Sequence, residues 1–289
     1  MAVEMKKISL NNKETSCCFI SNGDLSIEVL PEQGFSIVSF KHKGRELLDT
    51  WDLNVFAGAE ADVKNVSENI TDTFRKGFGP SVGPWFGGKE EGGKAWQHGV
   101  CRFADWSGAV KTGTDSIKGR LNGLKAKLLG KTLDDICGFH LDAEIQFSLN
   151  RDGLEYSVVN RSEGNKGTFG IHWYFKSPAG TKVIQKTDMK KLPDFDKAKF
   201  QVKDEVVVGD PSLALGQRFD NLNMGPDSCK TRIAYTDGLN IDFRYSDSFK
   251  YTMLFSAKQF VCVEPVSGPA WQVGTFGEGM IKMTPNFDS

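Results

Sequence analysis

The sequence predicts a mostly β protein, built from many antiparallel strands in packed sheets. Three observations support this fold class: apolar residues recur at every second position, turn residues join such segments, and long amphipathic helical periodicity is absent. No linker, repeat or low-complexity tract divides the 289 residues, and β-rich chains of this size commonly form one domain. We therefore expect a single domain spanning residues 1–289.

The first hairpin is predicted near the middle of the chain. Between Leu141 and Asn150, apolar and polar residues alternate strictly, as in an antiparallel strand with one buried face. Arg151-Asp152-Gly153 then supplies a turn, and alternation resumes from Leu154 to Val158. The pattern and the turn chemistry together predict a hairpin.

A second hairpin is predicted where Asp237-Gly238 joins Thr231–Tyr235 to Leu239–Tyr245. Two segments, Lys125–Leu133 and Ser212–Gln217, are compatible with short helical turns. Further strands are predicted over Leu25–Leu30, Ser36–His42, Ala95–Phe103, Ser116–Leu121, Val183–Lys186, Lys250–Phe255 and Met280–Met283.

Composition and charge favour a small-molecule ligand. The 36 Lys and Arg residues nearly balance 37 Asp and Glu residues, so bulk charge indicates neither nucleic acid nor an anionic membrane as partner. The first ten residues lack the apolar region of a signal peptide, and we expect a cytoplasmic protein. No Cys-x-x-Cys spacing occurs, so we expect free thiols at Cys17, Cys18, Cys101, Cys137, Cys229 and Cys262.

A glycine-rich segment, Gly77–Gly93, interrupts the regular patterning and is typical of a long functional surface loop. Within and just after it, Gly88-Lys89-Glu90-Glu91-Gly92-Gly93-Lys94-Ala95 resembles a phosphate-binding loop. That motif requires a Ser or Thr after the lysine and a following helix, and here Ala95 begins a predicted strand. We therefore do not expect nucleotide binding.

The strongest candidate for chemistry is the segment Gly170-Ile171-His172-Trp173-Tyr174-Phe175. As a strand, it places Ile171, Trp173 and Phe175 on one face and leaves His172 on the other with Tyr174. Later in the chain, Glu264 ends an apolar run just before Pro265, where an ionised carboxylate needs a partner or a function. An imidazole and a carboxylate on two strands are the minimum equipment for paired acid and base catalysis.

Other interpretations of these residues remain open. His172 is equally compatible with a buried core histidine, and His98 and Arg102, on one face of the predicted strand Ala95–Phe103, with solvated surface residues. Gly99 and the aromatic-rich loop before it favour a ligand cleft instead. His98, His172 and Glu264 have the chemistry of metal ligands, but their dispersal over three segments is not diagnostic. We expect no metal.

Taken together, these segments resemble the aldose 1-epimerase (galactose mutarotase-like) family. The resemblance rests on His98-Gly99 with Arg102, on Gly170 to Phe175, and on Glu264-Pro265-Val266-Ser267-Gly268. One departure is Trp173, where the family usually has proline; another is the insert around Lys89 and Lys94. Weaker matches are Arg75, Pro84-Trp85-Phe86-Gly87, Phe219-Asp220-Asn221 and Gly277-Glu278-Gly279.

The resemblance implies a large antiparallel β-sandwich that interconverts the α and β anomers of an aldose without metal or organic cofactor. It implies Glu264 as base and His172 as acid. The residues implied to bind the sugar are Arg75, Trp85, His98, Arg102 and Asp220.

Three alternatives remain. The first is a hexose-6-phosphate 1-epimerase, whose phosphate would need cations from among Arg75, Lys76, Lys89, Lys94 and Arg102. The second is a noncatalytic carbohydrate-binding protein. The third is a glycoside hydrolase or lyase, in which Asp220 would act with Glu264.

Overall fold

The computed structural model describes residues 2–10, 13–49, 81–86, 98–128, 130–191, 196, 198–257, 259–268 and 273–287. Strands dominate these ranges, and every strand pairing in them is antiparallel, so the predicted fold class is confirmed. None of the helices in the described ranges has the length and apolar character needed to cross a bilayer.

The amino-terminal residues form a five-stranded meander in which each strand pairs with the next. Both strands predicted in this region, β3 and β4, have the predicted bounds. The first strand escaped prediction because it is an edge strand with an exposed surface. The second escaped because its buried residues do not alternate, since the adjacent Cys17 and Cys18 are both buried. The strands are β1 (Ala2–Leu10), β2 (Lys13–Ser21), β3 (Leu25–Leu30), β4 (Ser36–His42) and β5 (Arg45–Glu46).

The largest sheet has ten strands, in the order β16-β17-β15-β19-β20-β23-β12-β11-β8-β7. Both predicted hairpins, β11 with β12 and β19 with β20, belong to it. The last strand of the chain, β23, lies between these hairpins. The strands are β7 (Lys111–Thr112), β8 (Ser116–Asn122), β11 (Asp142–Leu149), β12 (Leu154–Asn160), β15 (Lys182–Lys186), β16 (Phe200–Lys203), β17 (Val206–Gly209), β19 (Cys229–Ala234), β20 (Leu239–Tyr245) and β23 (Glu278–Phe287).

A third sheet carries the candidate site. Its strand order is β18-β21-β22-β13-β6, and β14 continues from β13 along the same edge of β22. Its strands are β6 (Ser81–Val82), β13 (Gly170–Ile171), β14 (Trp173–Lys176), β18 (Gly216–Asp220), β21 (Tyr251–Ala257) and β22 (Phe260–Val266).

One face of this third sheet packs on the ten-stranded sheet. The Trp173 ring contacts those of Phe147 and Tyr156, with centroids 5.8 and 6.3 Å away, and Phe175 lies 5.3 Å from Phe243. These rings belong to one hydrophobic cluster, to which separate segments of the chain contribute, the first at Cys18 and the last at Met283. The alternate residues of β13 and β14 consequently point away from the core.

The two segments predicted to contain helical turns have helical structure only at or near one end. Within Lys125–Leu133, the short strands β9 (Lys127–Leu128) and β10 (Lys131–Thr132) pair with each other, and the short helix α1 (Leu133–Cys137) begins where that segment ends. Its start is fixed by a capping box between Thr132 and Asp135. In Ser212–Gln217, a 3-10 turn over Pro211–Leu213 gives way to strand β18.

Candidate functional site

His172 and Glu264 lie opposite each other on neighbouring antiparallel strands. Gly170 pairs with Val266 before the histidine, and Trp173 pairs with Val263 after it, with the same register on both sides. Cross-strand partners of this kind point to the same side of a sheet and lie within contact distance. The side pointing away from the core therefore carries both the imidazole and the carboxylate.

The strand ladder is interrupted at His172, which separates β13 from β14. Pro265, beside Glu264, has no backbone N–H to donate to this ladder. Strand β22 nevertheless continues through Pro265, so Glu264 lies within the strand rather than at its end. Gly170 completes the arrangement, because a Cβ there would overlap the Pro265 carbonyl and push the strands apart.

The pair is almost completely shielded from solvent. His172 Nε2 and Glu264 Oε1 are 3.2 Å apart, and the two side chains are only 6% and 2% exposed. Within the described part of the chain, Glu264 Oε1 accepts no hydrogen bond. Burial raises the pKa of the Glu264 carboxyl well above its usual value, whereas burial and the charge of Arg102 lower the pKa of His172 to about 3. Both shifts favour the uncharged forms.

His98 joins this pair from a turn, and the predicted strand over residues 95–103 was wrong for residues 98–103; its first three residues lie outside the described ranges. His98 and Gly99 have φ angles of 64° and 76°, which a strand cannot accommodate. The Gly83 N–H donates to the His98 carbonyl at 3.2 Å, and the Cys101 N–H donates to the Gly83 carbonyl at 2.9 Å. This turn brings the His98 ring to 4.7 Å from His172.

Aromatic rings border the two histidines. The Phe86 ring lies 4.9 Å from His98, and the Tyr174 ring lies 4.9 Å from His172. Burial raises the pKa of the Tyr174 hydroxyl, and the charge of Arg102 opposes that rise. Burial, His172 and Arg102 all lower the pKa of His98. Arg102 is thus close enough to act electrostatically on all three polar rings.

Asp220 lies on the same sheet, at the end of the edge strand β18. It pairs with Tyr251, which pairs in turn with Val266, two residues beyond Glu264. Asp220 and Glu264 therefore face the same side, in adjacent rows. Their backbones are more than about 10 Å apart, because two strand spacings and one two-residue step separate them.

Arg218 is a candidate that the sequence did not reveal. It pairs with Met253, which pairs with Glu264, so all three lie in one row on the same face. Its side chain is exposed, and its guanidinium lies 4.9 Å from the centre of the Tyr251 ring. Its alternation with Asp220 could have identified it, but the predicted helical turn covered the first two residues of this strand, and no strand was predicted there.

The other residues singled out from the sequence either point into the core or lie outside the described ranges. Trp85 is 1% exposed and belongs to the core, so it offers no face to a sugar, and Phe86 is the aromatic residue beside the histidines. Trp173 also points into the core. The remaining candidates, Arg75, Lys76, Lys89 and Lys94, lie outside the described residues.

The site has the chemistry of an acid–base centre. Two ionisable groups in contact share a water-poor environment, and polar rings and a cation lie nearby. Such a pair can act on the two ends of a bound polar group, one member accepting a proton while the other donates one.

No protein-family model matches the sequence, and no curated protein matches it by sequence similarity. Solved structures do match over the whole length. A protein from Synechocystis is 17% identical, with 98% of this chain and 100% of that chain covered and a TM-score of 0.66. A galactose mutarotase-like protein from Clostridium acetobutylicum is 14% identical, with 99% of both chains covered and a TM-score of 0.64.

A GalM/aldose epimerase homologue from C. elegans is 12% identical, with both chains fully covered and a TM-score of 0.61. The chain therefore has the galactose mutarotase-like sandwich fold that its sequence predicted.

Proposed function

We propose that this protein is an aldose 1-epimerase, which interconverts the α and β anomers of an aldose. The observation that carries the proposal is the contact of His172 Nε2 with Glu264 Oε1 at 3.2 Å, on the face of the sheet that points away from the core. A purely structural role would not require a carboxylate and an imidazole to be desolvated together.

Anomer interconversion needs two proton transfers. Opening the sugar ring removes a proton from the anomeric hydroxyl and delivers one to the ring oxygen, and closure reverses both steps. In our proposal Glu264 accepts the first proton and His172 donates the second. The roles exchange when the ring closes on the opposite face of the aldehyde.

The pair needs a single exchangeable proton. In the absence of a sugar, burial favours the form with a protonated Glu264 and a neutral His172. The ionic form contains the same number of protons, since one proton has moved from oxygen to nitrogen. Sugar hydroxyls that donate to the carboxylate would stabilise its charged state, because hydrogen bonds to a charged form favour that form.

The neighbouring side chains suit the orientation of a sugar. We propose that His98, Arg102 and Asp220 bind hydroxyl groups and that Phe86, rather than Trp85, packs on the sugar ring. Arg75 keeps the hydroxyl-binding role that the family resemblance implies. Met253 and Tyr251 would form the floor between the acid–base pair and the edge strand.

Arg218 favours a second candidate within the same chemistry, a hexose-6-phosphate 1-epimerase. Its backbone is about 10 Å from that of Glu264, two strand spacings away. An arginine at that distance could bind a phosphate at the far end of a hexose, since guanidinium groups pair well with phosphate oxygens. A noncatalytic carbohydrate-binding protein would gain nothing from the buried His172 and Glu264 pair.

The test is polarimetric or coupled measurement of anomer interconversion on a panel of free and 6-phosphorylated aldoses. We expect wild-type protein to exceed the spontaneous rate, and Glu264→Gln and His172→Asn each to lose at least about a hundredfold in turnover. Glu155→Gln, on the ten-stranded sheet, is the matched control and should keep its turnover. A wild-type rate no faster than the spontaneous one would refute the proposal, and a response to phosphosugars alone would select the second candidate.

A further inference from the structure

Cys262 lies beside the proposed acid and base. It precedes Glu264 by two residues on β22, so both side chains face the same way, and it pairs with Tyr174 across the ladder. One ligand atom each from His172, Cys262 and Glu264 lie within 4.8 Å of one another, and all three residues are buried. The sequence had suggested His98 rather than Cys262 as the third possible ligand.

We infer that His172, Cys262 and Glu264 form a binding site for a thiophilic divalent cation such as Zn²⁺. Imidazole nitrogen, thiolate sulfur and carboxylate oxygen are the ligands that zinc prefers, and three protein ligands leave a fourth position open. Zinc–ligand bonds of about 2.0–2.3 Å imply ligand separations of about 3.3–3.8 Å. The side chains therefore need to close by only about 1 Å.

The charges around the site support a cation. Glu264 Oε1 is buried and accepts no hydrogen bond in the described ranges, and a bound cation would stabilise the charge on this desolvated oxygen. Asp49 lies close enough to Cys262 for its charge to act on the thiol, and a carboxylate there favours a bound cation. Binding releases the thiol proton, and any proton on Glu264, to solvent. Thiolate and carboxylate then neutralise the two charges of the ion.

Occupancy of this site would stop the proposed reaction. The ion would occupy the lone pair with which Glu264 accepts a proton and the lone pair on the His172 nitrogen that carries one. This inhibitory consequence rests on the proposed function, whereas binding of the ion does not. The site would then act as a metal-sensitive off switch.

Equilibrium dialysis against Zn²⁺, with protein kept reduced, tests the site directly. We expect one ion per wild-type chain, and at least about a hundredfold weaker binding by Cys262→Ser, since loss of an outer-shell partner alone costs up to that much. Co²⁺ should give wild-type protein the near-ultraviolet band of a cobalt–thiolate bond. Cys229→Ser is the matched control, because that half-buried thiol lies on the ten-stranded sheet, and it should bind like wild type.

Failure of wild type to bind, or equal affinity of Cys262→Ser and wild type, would overturn the inference. If circular dichroism shows that Cys262→Ser does not fold, Glu264→Gln takes its place in the comparison. Anomer interconversion measured with and without Zn²⁺ separates the two proposals. If wild-type protein binds Zn²⁺ but interconverts the anomers of no aldose, only the proposed function is refuted. If it interconverts anomers but does not bind Zn²⁺ and is insensitive to it, only this inference is refuted.

Discussion

Gly99 offers a sharp test of how the turn carrying His98 is built. The residue has a φ of 76°, and a Cβ at this position would overlap the Gly83 carbonyl and lie 2.8 Å from the Pro84 nitrogen. Gly99→Ala therefore combines a left-handed backbone with a backbone clash. Gly138 has nearly the same φ, 75°, and apart from its own helix and chain neighbours no described residue has an atom within 4 Å of its Cβ position. Gly138→Ala is thus a matched control for the backbone conformation alone.

The expected magnitudes follow from these two situations. A left-handed conformation costs a residue with a Cβ about 1–2 kcal/mol, which is the whole effect expected for Gly138→Ala. Insertion of a methyl group into packed surroundings typically costs a further 1–3 kcal/mol or so. Gly99→Ala should therefore reduce the free energy of unfolding by about 2–5 kcal/mol.

Urea denaturation of both variants and wild type measures these differences, and anomer interconversion reports on the site. We expect the clash at Gly99 to displace His98 from His172, so turnover should fall in Gly99→Ala and not in Gly138→Ala. Equal destabilisation of the two variants would show that the Gly83 and Gly99 backbones are not in close contact. His98 would then not be held beside His172 by this backbone contact.

Three further outcomes follow from the packing and charges. Trp173→Ala should reduce the free energy of unfolding by about 3–5 kcal/mol in urea denaturation, because the ring packs on Phe147 in the core. Asp242→Asn should cost about 1.5–3 kcal/mol at pH 7, since Asp242 accepts hydrogen bonds from Arg232 at 2.6 and 3.1 Å. Burial alone would raise the pKa of Asp242, but Arg232 and Arg244 together with the Cys229 hydrogen bond outweigh it and lower that pKa. The cost should therefore persist above about pH 4 and vanish as the pH falls through the lowered pKa. In anomer-interconversion kinetics, Phe86→Ala should raise KM by up to about tenfold, with a smaller change in kcat, because it removes a ring that packs on the sugar.

Much of the fold was predictable because strand alternation and turn chemistry are local signals. Leu239–Tyr245 has its predicted bounds, and the strand predicted at Leu141–Asn150 differs by one residue at each end. Edge strands gave weaker signals: β1 has no buried face to impose a pattern, and the first two residues of β18 were mistaken for part of a helical turn. Sheet order depends on contacts between distant segments, which alternation does not encode.

The candidate site was partly predictable for the same reason. Alternation placed His172 and Trp173 on opposite faces, and the structure has the Trp173 ring in the core. The turn at His98 was missed because its left-handed backbone arises from contact with Gly83, far away in sequence. The proximity of Cys262 to His172 depends on the register between their two strands, which alternation within one strand does not reveal.

The central claim is that His172 and Glu264 act as one acid–base unit, and a double-mutant cycle on turnover tests it most directly. We predict that Glu264→Gln and His172→Asn each lose at least about a hundredfold, and that the double variant falls no more than about tenfold below the weaker single variant. Turnover should be measured on the most reactive aldose, with folding of each variant checked by circular dichroism. Wild-type turnover in either single variant, or losses that multiply in the double variant, would contradict the claim.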